Sequence, residues 1–171
     1  MDSPIIPRHE LATAQAVAEQ LGVKHLLLET NPFEIPEFVA NHPRRCYFCK
    51  KHLFSKLLEL AKQSGLAVVA DGTNADDQGD FRPGMEACRE LGIKSPLLEA
   101  EITKSEIRQF SKEYSLPTWD LPSYACLATR FPYGTELTLA GVNRIEAGEA
   151  FLKKLGFGQL RLRDHGALAR L

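Results

Sequence analysis

The sequence predicts an α/β fold, an open parallel sheet with flanking helices, and three observations carry that prediction. Segments with helical apolar spacing alternate with short apolar runs, the order of strand–helix units in a parallel sheet. One run, "LAVVADG", is continuously apolar and ends in a glycine turn, as a strand buried on both faces does. The densest polar cluster follows that run directly, where open parallel sheets place their ligands.

The elements follow in chain order. "HELATAQAVAEQLG" has Leu11, Ala14, Val17, Ala18 and Leu21 on one face of an amphipathic helix that Gly22 ends. "VKHLLLET" reads as a short buried strand, and "NPFEIPEFVANHPRR", with three prolines, as a loop or a broken helix. "CKKHLFSKLLELAKQSG" is a second amphipathic helix, closed by Gly65, and "LAVVADG" is the next strand. A helix in "PGMEACRELG" and a strand in "IKSPLLEA" come next, the three strands lying side by side. "TKSEIRQFSKEYS" opens with Thr103 three residues before Glu106, the spacing of a capping box. "LPTWDLPSYACLATRFPYG" is loop-like, "GVNRIEAGEAFLKKLG" a helix, and "GQLRLRDH" an alternating strand.

Composition narrows the function classes. The 171 residues are 44% hydrophobic and 25% charged, an ordinary globular balance for one domain or one domain with part of another. A formal net charge of −1 provides no global field toward nucleic acid or an anionic membrane. Anion binding therefore has to come from local clusters: Arg44 with Arg45, Arg130, or Arg161 with Arg163. No apolar run approaches the roughly 18 residues of a membrane span, and "MDSPIIPRHE" lacks the shape of a signal peptide. Four cysteines are too few for a disulfide scaffold, so the expectation is a cytoplasmic protein with reduced thiols.

Four constellations carry chemistry. In "ADGTNADDQGDFRPG", Gly72 permits close backbone approach and Thr73 and Asn74 offer hydrogen bonds. Asp76, Asp77 and Asp80 have the chemistry to orient a ribose or hold Mg²⁺, and Arg82 to meet a phosphate or carboxylate; the competing reading is a solvated turn. Cys46-x-x-Cys49 has the spacing of half a zinc site or of a redox pair. No second pair follows it, so no metal site is assigned and a buried structural pair is the alternative. Cys88 has core spacing within its helix. Cys126 lies on a loop four residues before Arg130, after Trp119 and Asp120, where a guanidinium favours the reactive thiolate. On spacing alone a functional thiol and a buried one stay equally open.

Taken in order, "RCYFCKKHLF", "ADGTNADDQGDFRPG", "SPLLEAEITKSEIR", "LPTWDLPSYACLATRFPYG" and "GFGQLRLRDHG" resemble the ATP-dependent sacrificial sulfur transferase family (LarE) of nickel-pincer cofactor assembly, within the PP-loop pyrophosphatases. The resemblance implies an adenine-nucleotide-hydrolase-like fold, with residues 1–120 in the pyrophosphatase domain and 121–171 opening a smaller C-terminal sulfur-transfer region. It implies that ATP and Mg²⁺ adenylate a carboxylate of a pyridinium biscarboxylate mononucleotide. Cys126, matching the sacrificial cysteine, then gives up its own sulfur and becomes dehydroalanine. Relatives that use three cysteines to hold an iron–sulfur cluster are a poorer match, because no cysteine follows Cys126.

Further roles come with the resemblance. Gly72, Thr73 and Asp76 fall in the nucleotide pocket, Arg130, Arg161 and Arg163 bind the substrate's phosphate and carboxylates, and Glu149 assists C–S cleavage as a base or an orienting group. A homo-oligomer is expected, with no nucleic-acid or membrane partner. The family's Ser-Gly-Gly-x-Asp-Ser phosphate loop does not occur in these residues. The expectation is a fragment, a chain completed by a partner, or a lost activity, and in each case weak or no ATP binding by these residues alone. Two rivals stand beside the family reading: a carboxylate-adenylating amidotransferase-type synthetase that spares Cys126, and a truncated domain that only binds or oligomerises.

Overall fold

The structure, a computed structural model, describes residues 1–79 and 81–171, so the expected role of Asp80 lies outside the described residues. The chain forms two compact units. One combines residues 1–43 with 121–171, and the other spans Arg44–Asp120. One break falls after Asp120, and residues 1–43 group with the C-terminal segment.

In the first unit, helix α1 (Arg8–Gln20) starts after Pro7, and its first N–H is donated to Glu146 Oε1 at 2.8 Å. Gly22, at φ 63°, turns the chain out of the helix in the left-handed region that glycine adopts without strain. The run expected as the strand "VKHLLLET" makes one parallel bridge, Asp2 to Glu29, through Asp2 N to Leu28 O and Thr30 N to Asp2 O, both 2.9 Å. The proline-rich stretch is a broken helix: Pro32 opens a 3₁₀ turn (Pro32–Glu34) and Pro36 opens α2 (Pro36–Val39). Both prolines sit where a helix needs no N–H donor.

Asn41 is fully buried at φ 50°, and its Nδ2 donates to Pro132 O at 2.7 Å and Phe131 O at 3.4 Å. It thereby ties the end of α2 to the segment after the 3₁₀ turn Leu127–Arg130. Helix α7 (Leu139–Lys154) follows, capped by Thr138, whose Oγ1 accepts Gly141 N. The alternating "GQLRLRDH" run shortens to β1 (Arg163–Asp164), paired antiparallel with β2 (Ala169–Arg170). Ile5, Phe38, Leu127, Ala128, Leu137, Val142 and Ile145 are buried apolar residues of this unit.

The second unit is mainly helical: α3 (Arg45–Gln63), α4 (Pro83–Glu90), α5 (Pro96–Glu99) and α6 (Lys104–Glu113). Its core is Phe54, Cys88 and Ile93, with Leu57, Leu58, Val69 and Leu91 packed against them. Helix α3 begins four residues earlier than the apolar spacing indicates, which brings Cys46 and Cys49 into its first two turns. The capping box at α6 is present: Thr103 Oγ1 accepts Glu106 N, and Glu106 Oε2 accepts Thr103 N.

The runs "LAVVADG" and "IKSPLLEA" do lie side by side in parallel, through a bridge between Ala70 and Lys94. Asp71 N donates to Lys94 O at 2.8 Å, and Lys94 N to Val69 O at 3.0 Å. The second run does not continue as a strand, because Pro96 removes the next donor and opens α5. Nor is the first run buried on both faces, since Leu66 and Val68 are exposed. Among the described residues, the one strand ladder is antiparallel and the parallel pairing is confined to two bridges. No helix of the described residues is long and apolar enough to cross a membrane.

Candidate functional site

Cys126 sits at the cap of the 3₁₀ turn Leu127–Arg130 in extended backbone (φ −56°, ψ 151°) and is half-buried. Three sets of contacts fix its peptide. Leu127 N donates to Ile5 O at 2.9 Å. The Cys126 carbonyl accepts from Thr129 N and Thr129 Oγ1. Arg130 Nη1 donates to Ala125 O at 2.7 Å and to Cys126 O at 3.3 Å. Beneath them, Arg130 and Glu149 form a two-pronged ion pair, Nε to Oε1 at 2.8 Å and Nη2 to Oε2 at 3.0 Å, with side chains 1% and 7% exposed.

This geometry changes what Arg130 and Glu149 can do. Every nitrogen of the Arg130 guanidinium donates inward, so its fork is spent on the loop and on Glu149, and none of it faces solvent for a substrate phosphate. Its charge is compensated at contact distance by Glu149, which offsets its field at the thiol. Glu149 accepts a third hydrogen bond, from Leu162 N at 2.9 Å. A carboxylate holding three donors acts as an orienting group.

Gly148 makes the Leu162 contact possible, because a methyl group there would collide with the Leu162 side chain. Leu162 therefore lies on α7. Both arginines line a cleft of about 490 Å³ together with Leu152, Phe157, Gln159, Leu160 and Leu171. Arg161 is exposed and Arg163 half-buried, so two cations converge on a concave surface of the kind that holds anions.

In the second unit the organising group is Asp71, an acid that residue pattern does not set apart from its polar neighbours. Its carboxylate accepts from Thr73 Oγ1 and Ser95 Oγ, each at 2.7 Å, from Thr73 N at 3.2 Å and from the Cys88 thiol at 3.6 Å. Lys50 Nζ stands 3.6 Å away, its stem crossing α4 at Gly84, where there is no room for a Cβ. Burial pushes the Asp71 pKa upward, but the bonds from Thr73 and Ser95 and the Lys50 charge outweigh it, leaving the carboxyl below its usual range. Burial raises the Cys88 thiol above its ordinary value, so Cys88 stays protonated and donates to Asp71. The signal that could have found this hub is the acid at the carboxyl end of the "AVVA" run.

Gly72 has open space around it, and buried Thr73 is turned toward Asp71. Asp76 Oδ2 accepts Lys104 N at the start of α6, while Asp77 pairs with Arg82 at 2.8 Å and accepts Asn74 N. Of the acids expected to favour Mg²⁺, Asp76 is thus committed to the start of α6 and Asp77 to Asn74 and Arg82. Among the described residues no group of three or more His, Cys, Asp or Glu is placed to hold a metal. Asp76 and Asp77, engaged in this way, do not by themselves fit a Mg²⁺ site. A cavity of about 170 Å³ lies beside them, lined by Thr73, Met85, Cys88, Arg89, Ile93, Ser95, Leu98 and Glu99.

No protein-family model matches the chain. Over 169 residues, 99% of its length, it is 44% identical to an uncharacterized protein of Synechocystis sp., of which it spans 63%. Over 170 residues it is 33% identical to the pyridinium-3,5-bisthiocarboxylic acid mononucleotide synthase of Lactiplantibacillus plantarum, of which it spans 62%. It is also 35% identical over 149 residues to an uncharacterized protein of Methanocaldococcus jannaschii, spanning 58% of that relative. The chain therefore spans about three fifths of the length of these curated relatives.

Proposed function

We propose that this chain belongs to the sacrificial sulfur transferases of the PP-loop class, an open parallel α/β fold, and that Cys126 is its sulfur donor. The similarity to a synthase named for a bisthiocarboxylic acid mononucleotide supports the reaction class. The observation that carries the reading is the bracing of Cys126: a buried ion pair and the hydrogen bonds from Thr129 and Arg130 hold the peptide of one half-buried thiol. A nucleophile held in this way loses little entropy on reaching its electrophile.

In this reading the Cys126 thiolate attacks a carboxylate carbon activated by ATP-dependent adenylation, and AMP leaves with the bonding electrons. The resulting thioester breaks at the Cys126 Cβ–S bond as the Cα proton is removed. Sulfur keeps the electron pair and departs as the thiocarboxylate, leaving dehydroalanine. Arg130 and Glu149 hold the Cys126 peptide during both steps, and Glu149 is an orienting group, not the base. Arg161 and Arg163 meet the phosphate of a pyridinium biscarboxylate mononucleotide in their cleft. Gly72, Thr73 and the Asp71 hub border the nucleotide.

Intact-protein mass spectrometry after one turnover tests this reading. The protein should lose the mass of H₂S at Cys126, and Cys126→Ala should make no thiocarboxylate product. Product formed with the protein mass unchanged would show that the sulfur, or ammonia in its place, comes from elsewhere.

A further inference from the structure

Tyr124 stands two residues before Cys126, and its ring is gripped from two sides. The His9 ring meets it edge-on, with centroids 5.3 Å apart and planes at 80°. Lys153 Nζ lies 4.6 Å from the Tyr124 centroid, within cation–π range. The two grips are joined, because Lys153 Nζ and His9 Nε2 are 2.7 Å apart. An ammonium has only protons to offer, so His9 Nε2 must be the acceptor and the imidazole neutral, with its proton on Nδ1. Three groups, one from α1, one from α7 and one from the Cys126 loop, therefore meet in one cluster whose His9–Lys153 link needs an uncharged His9.

This contact matters to the loop because the adjoining side is not close-packed. A cavity of about 240 Å³ lies between the start of α1 and α7 and reaches Leu127, with Pro7, Glu146 and Ala150 among its walls. The loop has room to move there, so its position on that flank depends on Tyr124.

We propose that His9 and Lys153 are positioning residues for Cys126, acting through the Tyr124 ring. The functional consequence rests on the reading of Cys126 as sulfur donor; the positional one does not. The groups facing His9 are Glu10 on its own helix, with Oε1 3.5 Å from Nε2, and Glu146, Glu149 and Lys153 on α7. Burial and the Lys153 charge hold the His9 pKa below its ordinary 6.5, outweighing the three carboxylates. The closed contact is fully present above about pH 6.5 and is lost as pH falls through the lowered value, because protonated His9 repels Lys153 and has no lone pair to accept with. Below that value the opening equilibrium rises toward about tenfold per pH unit.

Hydrogen exchange of residues 123–129 from pH 7.5 down through the His9 titration, followed by nitrogen-15 NMR and corrected for intrinsic exchange, tests the proposal on the protein and two variants. His9→Phe keeps a ring on Tyr124 but can neither accept nor titrate, and Lys153→Met keeps the stem without the charge. The wild-type protein should lose protection on acidification, and in both variants that step should vanish. A nitrogen-15 spectrum of His9 should show the proton on Nδ1 at neutral pH. Wild-type protection that does not change as His9 protonates, or an acid step that survives in both variants, overturns the proposal. If the step is found but turnover leaves the mass at Cys126 intact, the positioning stands and the donor reading falls. If H₂S is lost with no acid step, the donor reading stands and the positioning falls.

Discussion

The loop around Cys126 and the loop around Asp71 and Thr73 are both polar and both expected to hold functional residues, yet they are built on different principles. Under Cys126 a cation and an anion are taken almost wholly out of water and paired through two hydrogen bonds. Around Asp71 the carboxylate is organised mainly by the hydroxyls of Thr73 and Ser95, and the nearest ammonium, on Lys50, is 38% exposed. The first arrangement spends its charge on shape. The Arg130 fork pins the Ala125 and Cys126 carbonyls, and Glu149 makes that fork tolerable in the interior. The second keeps an anionic centre with a partly solvated cation beside it. A residue's charge in the sequence does not say which of these uses it serves.

The largest effect should come from breaking the buried pair. Glu149→Ala leaves the Arg130 guanidinium buried and uncompensated, which costs about 3–5 kcal/mol and should appear as a lowered urea midpoint. The double variant Arg130→Met with Glu149→Leu should recover much of that stability, since an apolar pair of similar volume needs no desolvation. It should not recover exchange protection at residues 125–127, because the Ala125 carbonyl loses its Arg130 donor and the Cys126 carbonyl keeps only those from Thr129. If the apolar pair restores both, the ion pair serves stability alone and the contrast with Asp71 dissolves.

A smaller effect is expected at Asp71→Asn, about 1–3 kcal/mol, since an amide can still accept from one hydroxyl while a second donor is left unsatisfied. The pH dependence sharpens the contrast. A carboxyl whose folded pKa lies below its ordinary 3.8 contributes stability that is complete above that value and lost as pH falls through the lowered one. Acid titrations of stability should therefore show a step below pH 3.8 in the wild type that Asp71→Asn removes. An Asp71→Asn cost exceeding that of Glu149→Ala would reverse the ranking of the two loops.

Much of this is legible in the sequence where the signal is local. Apolar spacing marks α1, α3, α4 and α7, and Thr103 with Glu106 marks the start of α6. What is not legible depends on residues far apart in the chain. The separation of 19 positions from Arg130 to Glu149 gives no hint that they are a pair, and without Glu149 the guanidinium reads as a free substrate ligand. Asn41 looks like a loop residue until its amide is found on Phe131 and Pro132, 90 and 91 positions on. Pro96 is a local signal that points two ways: a proline after "IKS" favours a helical first turn as readily as a strand end.

The smallest effect belongs to a place where loop and helix meet in the second unit. Helix α6 has two caps on its first turn: Thr103 Oγ1 accepts Glu106 N at 3.3 Å, and Asp76 Oδ2 accepts Lys104 N at 2.9 Å. Asp76 has the chemistry of a nucleotide ligand, but its carboxylate is already employed as a helix cap. Thr103→Ala should cost about 1 kcal/mol, the ordinary value of a lost N-cap, because only one of several orphan donors is returned to water. If the two caps act together, Asp76→Ala should cost more in the Thr103→Ala background than alone, and a double-mutant cycle by urea unfolding measures the excess. Strict additivity would show that the two caps act independently, and only a near-zero cost of Asp76→Ala by itself would leave its carboxylate available to a ligand at little cost to the helix.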